Sequence, residues 1–327
     1  MVVSLTEPMR RAIDLARASG VVSDVNPAVG AVVVAADGEV VGQGWHRGSG
    51  TAHAEVDALA QAGARAVGAT VYCTLEPCAA AGRVGACTHA LASAGVARVV
   101  FGQRDPNPAM AGGAVWLAEH GIAVEGDMLA DECAQLNPTW TFAHAHGRPW
   151  VVWKTATTLD GFIAAPDGRS QWITGEPARA RVQELRAAAM AVVTGTGTVL
   201  ADDPRLTVRD AARQPLRVVI GSRALPRHAQ VHPAITLDLP VADALGSLWR
   251  EHGVHRVLVE AGPGLSTALW QQDLVDEVFW FQAPAVMGRG IAVLGEPGQL
   301  ALAEARRFSQ VEVHRVGLDT EYHFLTR

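Results

Sequence analysis

A chain of 327 residues, 49% apolar and 18% charged, has room for two packed domains and is excluded from the disordered and fibrous classes. A net charge of -6 leaves no overall basic footprint for nucleic acid, so the balance tilts toward a small-molecule substrate. Four cysteines, the lack of a charged leader with an apolar core, and no apolar run near the roughly eighteen residues of a membrane span point to a reducing, cytoplasmic setting.

Thr6 or Ser4 can cap a helix over residues 8–18, with Met9, Ile13 and Ala16 on one side and Gly20 as its stop. Residues 31–34 and 40–44 are short apolar runs joined by Ala36-Asp37-Gly38, a hairpin signal. Before them lies Asn26-Pro27, a turn whose asparagine amide, beside a metal pocket, would suit a pyrimidine edge. A helix begun by His53, a strand over 71–75, a helix over 87–94 and a strand over 97–101 imply a layered α/β domain with a largely parallel sheet. Asp105-Pro106-Asn107-Pro108 then sits at a strand end, where open α/β sheets meet ligands. Residues 113–120 and 131–143 read as helices, with Cys133 in the core. The polar run from His144 to Pro149 reads as a linker, dividing the chain into domains 1–146 and 147–327.

The second half starts with a strand over 150–157, a turn at Leu159-Asp160-Gly161 and a return strand. A helix over 177–189 and strands over 191–194, 216–220, 234–239, 256–260 and 277–281 again give α/β order. No dinucleotide fingerprint is present: Gly195-Thr196-Gly197 lacks the third glycine, and Gly262-Pro263-Gly264 carries a proline. Taken alone, these are weak phosphate-binding turns.

The chemistry concentrates between His53 and Cys87. A catalytic zinc needs three His or Cys ligands, a fourth position for water, and a carboxylate that moves the proton without ligating. His53 and Cys78 are two ligands, and Glu55, two residues from His53, is the proton carrier, as in the His-x-Glu and Pro-Cys signature of zinc deaminases. Position 81 is alanine where the simplest signature has its last cysteine, so the third ligand comes from Cys73, Cys87 or His89. Cys73 lies in an apolar strand and reads as a small hydrophobe. Cys87 opens a helix, where the dipole favours a thiolate, and is the choice; His89 reads as a surface or supporting residue.

Asn26-Pro27-Ala28-Val29-Gly30, His53-Ala54-Glu55, Glu76-Pro77-Cys78, Gly82-Arg83 and Cys87, with eight residues between the cysteines, together resemble the bifunctional riboflavin biosynthesis deaminase/reductase family. The spacing separates the chain from cytidine and tRNA deaminases. Residues 154–161, Ser170-Gln171-Trp172-Ile173, 198–204 and Glu260-Ala261-Gly262-Pro263 are similar to that family's reductase half, so the likeness covers nearly the whole chain. It implies a cytidine-deaminase-like three-layer α/β/α domain followed by a dihydrofolate-reductase-like α/β domain, with Zn2+ and NADPH as cofactors. It further implies hydrolytic deamination of 2,5-diamino-6-(5-phosphoribosylamino)pyrimidin-4(3H)-one, followed by reduction of the ribosyl group to ribityl. The implied deaminase contacts are Asn26, His46, Arg83, Asp105 and Asn107. The implied NADPH contacts are Thr157, Trp172, Thr198, Asp202, Ser222 and the turn Gly262, Pro263, Gly264 and Leu265. Lys154, Ser170, Arg186, Leu206, Arg209 and Glu260 would face the reductase substrate, with the forked guanidinium groups of Arg186 and Arg209 suited to a sugar phosphate. Expected partners are phosphorylated pyrimidines and copies of the chain in a homo-oligomer, with neither nucleic acid nor membrane.

Two stretches depart from the family pattern. Ala79-Ala80-Ala81-Gly82-Arg83-Val84-Gly85-Ala86 replaces a loop that members fill with Ser-His-His and Thr-Pro-Pro, and the stretch between Val231 and Ala242 is short. The ligands survive while polar substrate contacts are lost, which leaves a rival reading in which the deaminase half takes another aminopyrimidine. A further rival is a nucleic-acid deaminase or binding protein with a non-catalytic C-terminal half.

Overall fold

The computed structural model describes residues 6–20, 25–80, 85–295, 303, 305–308 and 310–326, so Arg83 lies outside the described residues. Contacts divide the chain into two compact units, Met1–Ala145 and His146–Arg327. The first contains α1 (Glu7–Ala18), β1 (Gly30–Val34), β2 (Val40–Trp45), α2 (Ala54–Ala62), β3 (Thr70–Leu75), α3 (Cys87–Ser93), β4 (Arg98–Gln103), α4 (Gly113–Glu119), β5 (Ala123–Glu125), α5 (Ala130–Ala134) and α6 (Pro138–His146), whose last residue falls across that division.

The first sheet runs β2-β1-β3-β4-β5. The hairpin makes β1 antiparallel to β2, and β1 also pairs antiparallel with β3, so the sheet is parallel only from β3 to β5. The expected largely parallel sheet is therefore a mixed one. Alternate residues along the strands face opposite ways. Val32, Tyr72 and Val100 meet Met9, Ala12, Ile13 and Cys133 from α1 and α5. Ala31, Val33, Val71, Cys73 and Phe101 meet Ala54, Ala58, Leu91 and Leu117 from α2, α3 and α4. The result is three layers, α/β/α.

On that second face α2 lies directly on β2. A Cβ at Gly42 would collide with the carbonyl oxygen of Ala58, and one at Gly44 with the carbonyl oxygen of Ala54 and the amide of Ala58. The single helix expected over 131–143 is broken into α5 and α6. Pro138 has no amide hydrogen to give and disfavours helical backbone at Asn137, so a new helix starts at the proline. Asn137 reaches back to the loop before β1: its Oδ1 accepts from the Ala28 amide at 2.7 Å and its Nδ2 donates to the Ala28 carbonyl at 2.8 Å. His144 and His146, expected in a linker, belong to α6, with His144 edge-on to Trp140 at 4.6 Å.

The second unit contains β6 (Trp150–Thr157), β7 (Phe162–Ala164), α7 (Glu176–Ala187), β8 (Ala191–Gly195), α8 (Thr196–Asp202), β9 (Leu216–Ile220), β10 (Ile235–Leu237), α9 (Val241–His252), β11 (Arg256–Glu260), α10 (Pro263–Gln271), β12 (Glu277–Gln282), β13 (Ile291–Ala292), β14 (Gln310–Val316) and β15 (Asp319–Leu325). Its main sheet runs β10-β9-β8-β11-β6-β12-β15-β14. The strands from β10 to β12 are parallel, and β15 and β14 close the edge as an antiparallel hairpin. Val151 and Trp153 pack with Leu245 and Leu248 of α9 and Leu269 of α10, while Val152 packs with Val182 and Leu185 of α7 and Val199 of α8. The carboxyl ends of β6, β11, β8 and β9 bring Lys154, Glu260, Gly195 and Gly221 to one end of this sheet, the end where open parallel sheets take ligands.

Candidate active sites

In the first unit, His53 is the N-cap of α2, Cys78 follows β3, and Cys87 opens α3. His53 Nδ1 lies 3.2 Å from Cys87 Sγ and 3.6 Å from Cys78 Sγ, and all three ligand atoms lie within 4.8 Å of one another. Among the described residues no other His, Cys, Asp or Glu trio meets that condition. One imidazole nitrogen and two sulfurs, converging from three elements, are the donor set of a zinc site with an open position. The Cys87 amide donates to Cys78 Sγ at 3.2 Å. The Cys87 side chain, with help from His53 and that amide, holds the Cys78 thiol well below the ordinary thiol range. Cys73 stays out of the cluster, buried with its sulfur 3.8 Å from the Val100 carbonyl. His89 is exposed and stacks on Trp116 at 4.8 Å.

Glu55 is buried one helical residue beyond Ala54, and burial, aided by the Cys78 charge, pushes its carboxyl up to about 7. A carboxyl poised near neutrality can both take and return a proton. Around it, His46 Nδ1 lies 3.1 Å from the Ala52 carbonyl, which requires the proton on Nδ1 and leaves Nε2 to accept from Asn26 Nδ2 at 3.1 Å. The His46 ring stands edge-on to His53 at 5.5 Å. Asn26 and His46 are thus tied to the cluster. Asp105 and Asn107 instead brace their own turn. The Asp105 carboxylate accepts from the Asn107 amide at 2.8 Å and Asn107 Oδ1 from the Ala109 amide at 3.1 Å. Buried Glu76 anchors that turn by accepting from the amides of Asp105 at 3.2 Å and Ala114 at 2.9 Å. Burial raises the Asp105 carboxyl to about 6.

In the second unit a cavity of about 1080 Å³ opens at the strand ends. Lys154, Ser170, Trp172, Arg186, Thr198, Asp202, Leu206, Arg209, Glu260, Gly262, Pro263 and Gly264 all line it, as expected of a shared cofactor and substrate site. Thr157, Ser222 and Leu265 do not. Thr157 is buried and its hydroxyl accepts from Trp280 Nε1 at 2.9 Å, Ser222 is exposed, and Leu265 packs against the core.

Arg186 differs from its expected role. Its fork is spent on Glu260, Nε to Oε1 at 2.5 Å and Nη2 to Oε2 at 3.0 Å, while Nη1 holds the Thr207 carbonyl at 3.0 Å. A bidentate carboxylate satisfies a planar guanidinium better than a mobile phosphate does in the free protein. Lys154 is half-buried beside this pair. Burial lowers its ammonium pKa, Glu260 opposes that and Arg186 adds to it. Leu206 is held at φ 53°, a left-handed conformation rare for a bulky side chain, with that side chain buried against the wall. Glycine-bordered turns and polar hooks, Thr198 Oγ1 accepting from the Gly262 amide at 3.1 Å and Ser170 Oγ donating to Asp202 at 3.1 Å, suit the phosphates and ribose of NADPH. The reading from sequence missed Arg179, Gln183 and Arg223, which also line the cavity and lie in no motif. Arg179 covers the Trp172 ring at 4.6 Å.

Comparison with known proteins accounts for both halves. The family model "Cytidine and deoxycytidylate deaminase zinc-binding region" matches residues 4–103, and "RibD C-terminal domain" matches residues 149–321. The riboflavin biosynthesis protein RibD of Escherichia coli K12 is 39% identical, over 97% of this chain and 98% of that protein. The RibD of Corynebacterium ammoniagenes is 42% identical over 83% of each. Among solved structures, Acinetobacter baumannii RibD superposes with a TM-score of 0.85 at 38% identity, over 97% of both chains. The diaminohydroxyphosphoribosylaminopyrimidine deaminase/5-amino-6-(5-phosphoribosylamino)uracil reductase of Thermotoga maritima reaches 0.77 at 33%, also over 97% of both. With a His-Cys-Cys trio suited to zinc in one unit, a cofactor-sized cavity in the other and relatives that span the two, the chain belongs to the RibD family of riboflavin biosynthesis deaminase/reductases.

Proposed function

We propose that the two reactions divide at residue 146, with deamination in residues 1–146 and reduction in residues 147–327. The observation that carries the first assignment is the convergence of His53, Cys78 and Cys87 beside the buried carboxyl of Glu55. Held by those three residues, Zn2+ supplies the Lewis acidity that makes water nucleophilic near neutral pH. Asn26 and His46, already oriented by their mutual hydrogen bond, hold the pyrimidine edge. Glu55 takes the proton from the attacking water and returns it to the departing amine, so that ammonia leaves and a carbonyl replaces it. Asp105 and Asn107 bound the other side of the pocket through their braced turn.

In the second unit NADPH supplies the hydride, and the protein aligns it. Reduction of a ribosyl group to ribityl opens the sugar ring, so the ring oxygen needs a proton as the anomeric carbon takes the hydride. Lys154, whose ammonium is destabilised by burial, is the donor, and Glu260 and Arg186 fix its position. Ser170, Leu206 and Arg209 complete the substrate wall. Thr198, Asp202, Trp172 and the Gly262-Pro263-Gly264 turn hold the cofactor. With a net charge of -6, no helix among the described residues long and apolar enough to cross a membrane, and phosphorylated pyrimidines as substrates, the same reading takes a cytoplasmic homo-oligomer that does not engage nucleic acid.

Incubation of the purified protein with the diaminopyrimidine phosphate, with and without NADPH, tests this directly. Ammonia should appear in both cases and NADPH should be consumed in step with it. Glu55→Gln should stop ammonia release yet still reduce the deaminated intermediate, and Lys154→Ala should do the reverse. Ammonia from a different aminopyrimidine, but not from this one, would establish instead that the loop over 79–86 has retuned the deaminase half.

A further inference from the structure

The reductase cavity is lined by six cations: Lys154, Arg179, Arg186, Arg205, Arg209 and Arg223. Lys154 and Arg186 share Glu260, Arg179 lies on Trp172 and donates to the Thr174 carbonyl at 2.7 Å, and Arg205 donates to Gln230 at 2.7 Å. Among the described residues no side chain pairs with the guanidinium groups of Arg209 and Arg223. Two unanswered cations in one cavity call for two anions.

Their positions separate the roles. Residues 207–209 are tied to the Lys154 end of the cavity, through Arg186 on the Thr207 carbonyl and through Gln183, which accepts from the Arg209 amide at 3.0 Å. Arg223 follows β9, which stands two strands beyond β11 and three beyond β6. Three strand spacings are about 14 Å. With Lys154 and Glu260 holding the sugar, a bound NADPH would bring its nicotinamide to the ends of β6 and β11, and its adenosine end would then reach toward β8 and β9. Arg223 waits there.

Its approach is built in by two glycines. A Cβ at Gly221, which has φ 136°, would meet Thr196 Oγ1 at 2.7 Å, and a Cβ at Gly197 would meet Arg223 Nη2 at 2.6 Å. Without those side chains the turn after β9 closes onto residues 195–198 and lays the guanidinium over the backbone of Gly197.

We propose that Arg223 pairs with the 2′-phosphate of NADPH and makes the reductase half prefer NADPH to NADH. This rests on the reading of residues 147–327 as the reductase. A forked guanidinium meets a phosphate dianion with two parallel hydrogen bonds, and NADH offers only a hydroxyl there.

Equilibrium binding of NADPH, NADH and 2′,5′-ADP, followed by quenching of protein fluorescence, provides the test. Arg223→Gln should weaken NADPH and 2′,5′-ADP by about ten- to a hundredfold and leave NADH unchanged, with Arg223→Lys falling between. Unchanged zinc content and ammonia release in the variant report an intact fold. Equal weakening of NADPH and NADH, unchanged NADPH affinity, or a raised Michaelis constant for the pyrimidine phosphate with NADPH affinity intact would each overturn the assignment. A wild-type protein that binds neither dinucleotide would overturn the reductase reading itself, whereas selectivity that persists in Arg223→Gln sinks only the role of Arg223.

Discussion

Glu260→Gln probes the group on which the second unit's chemistry and stability both depend. The substitution keeps the shape and one acceptor but removes the only carboxylate that pairs with Arg186 among the described residues, where the two side chains are 16% and 14% exposed. Losing one partner of a largely buried ion pair costs about 3–5 kcal/mol, because the other charge stays behind unpaired. Here the remaining guanidinium also faces the ammonium of half-buried Lys154, so the loss falls near about 3 kcal/mol only if Arg186 swings into the cavity's solvent. Burial alone would raise the Glu260 carboxyl, but the Arg186 charge and hydrogen bond, with Lys154, outweigh it and hold the group below its usual 4.5. Its contribution is therefore present above that value and is lost as pH falls through the lowered folded value. Denaturant unfolding read by hydrogen exchange in β6 and β11 should show the full loss at pH 7 and a smaller difference from wild type below about pH 4. Arg186→Met in the same background should recover most of it. Reductase turnover should collapse in Glu260→Gln while ammonia release and zinc content stay at wild-type levels. A variant within about 0.5 kcal/mol of wild type at neutral pH, the range of an ordinary surface substitution, would show that the pair contributes nothing net and that the reasoning from burial is wrong.

Cys87→Ser should lose most of the zinc found in the wild-type protein by metal analysis, whereas Cys73→Ser should keep it; equal loss would mean that the ligand set is different. Asn137→Ala removes both hydrogen bonds to Ala28 and should cost about 2–3 kcal/mol by thermal or denaturant melting of the first unit, with a higher deaminase Michaelis constant as the Asn26 turn loosens. An unchanged Michaelis constant would confine Asn137 to stability. Asp105, raised to about 6 by burial, opposes folding once it must ionise above its usual 3.8, so Asp105→Asn should leave the melting temperature at pH 7 unchanged or higher while impairing deamination. A lower melting temperature would refute that sign.

The convergence of His53, Cys78 and Cys87 was legible because zinc chemistry restricts residue type and because Cys73, in a run of apolar residues, announces burial. The parallel core of the second unit was legible for a similar reason, since Val192, Val218 and Leu258 sit in runs too short and too β-branched for helices. What the residues could not announce were partnerships across long separations. Arg186 reads as a phosphate ligand until β11 brings Glu260 to it, 74 residues later. Asn137 looks like the middle of a helix until Pro138 ends one and the amide finds Ala28, 109 residues away. The final hairpin was missed because Val311 and Val313 alternate with charged residues on an exposed edge and leave no apolar run.

Where α2 touches β2, main chain meets main chain, and that has a bearing on how this enzyme tolerates change. His53 and Glu55 ride on a helix whose seat has no rotamers to relax, so the metal centre inherits the stiffness of a sheet instead of the compliance of a packed side chain. A methyl group at Gly44 would lift that helix bodily and carry the imidazole away from both sulfurs.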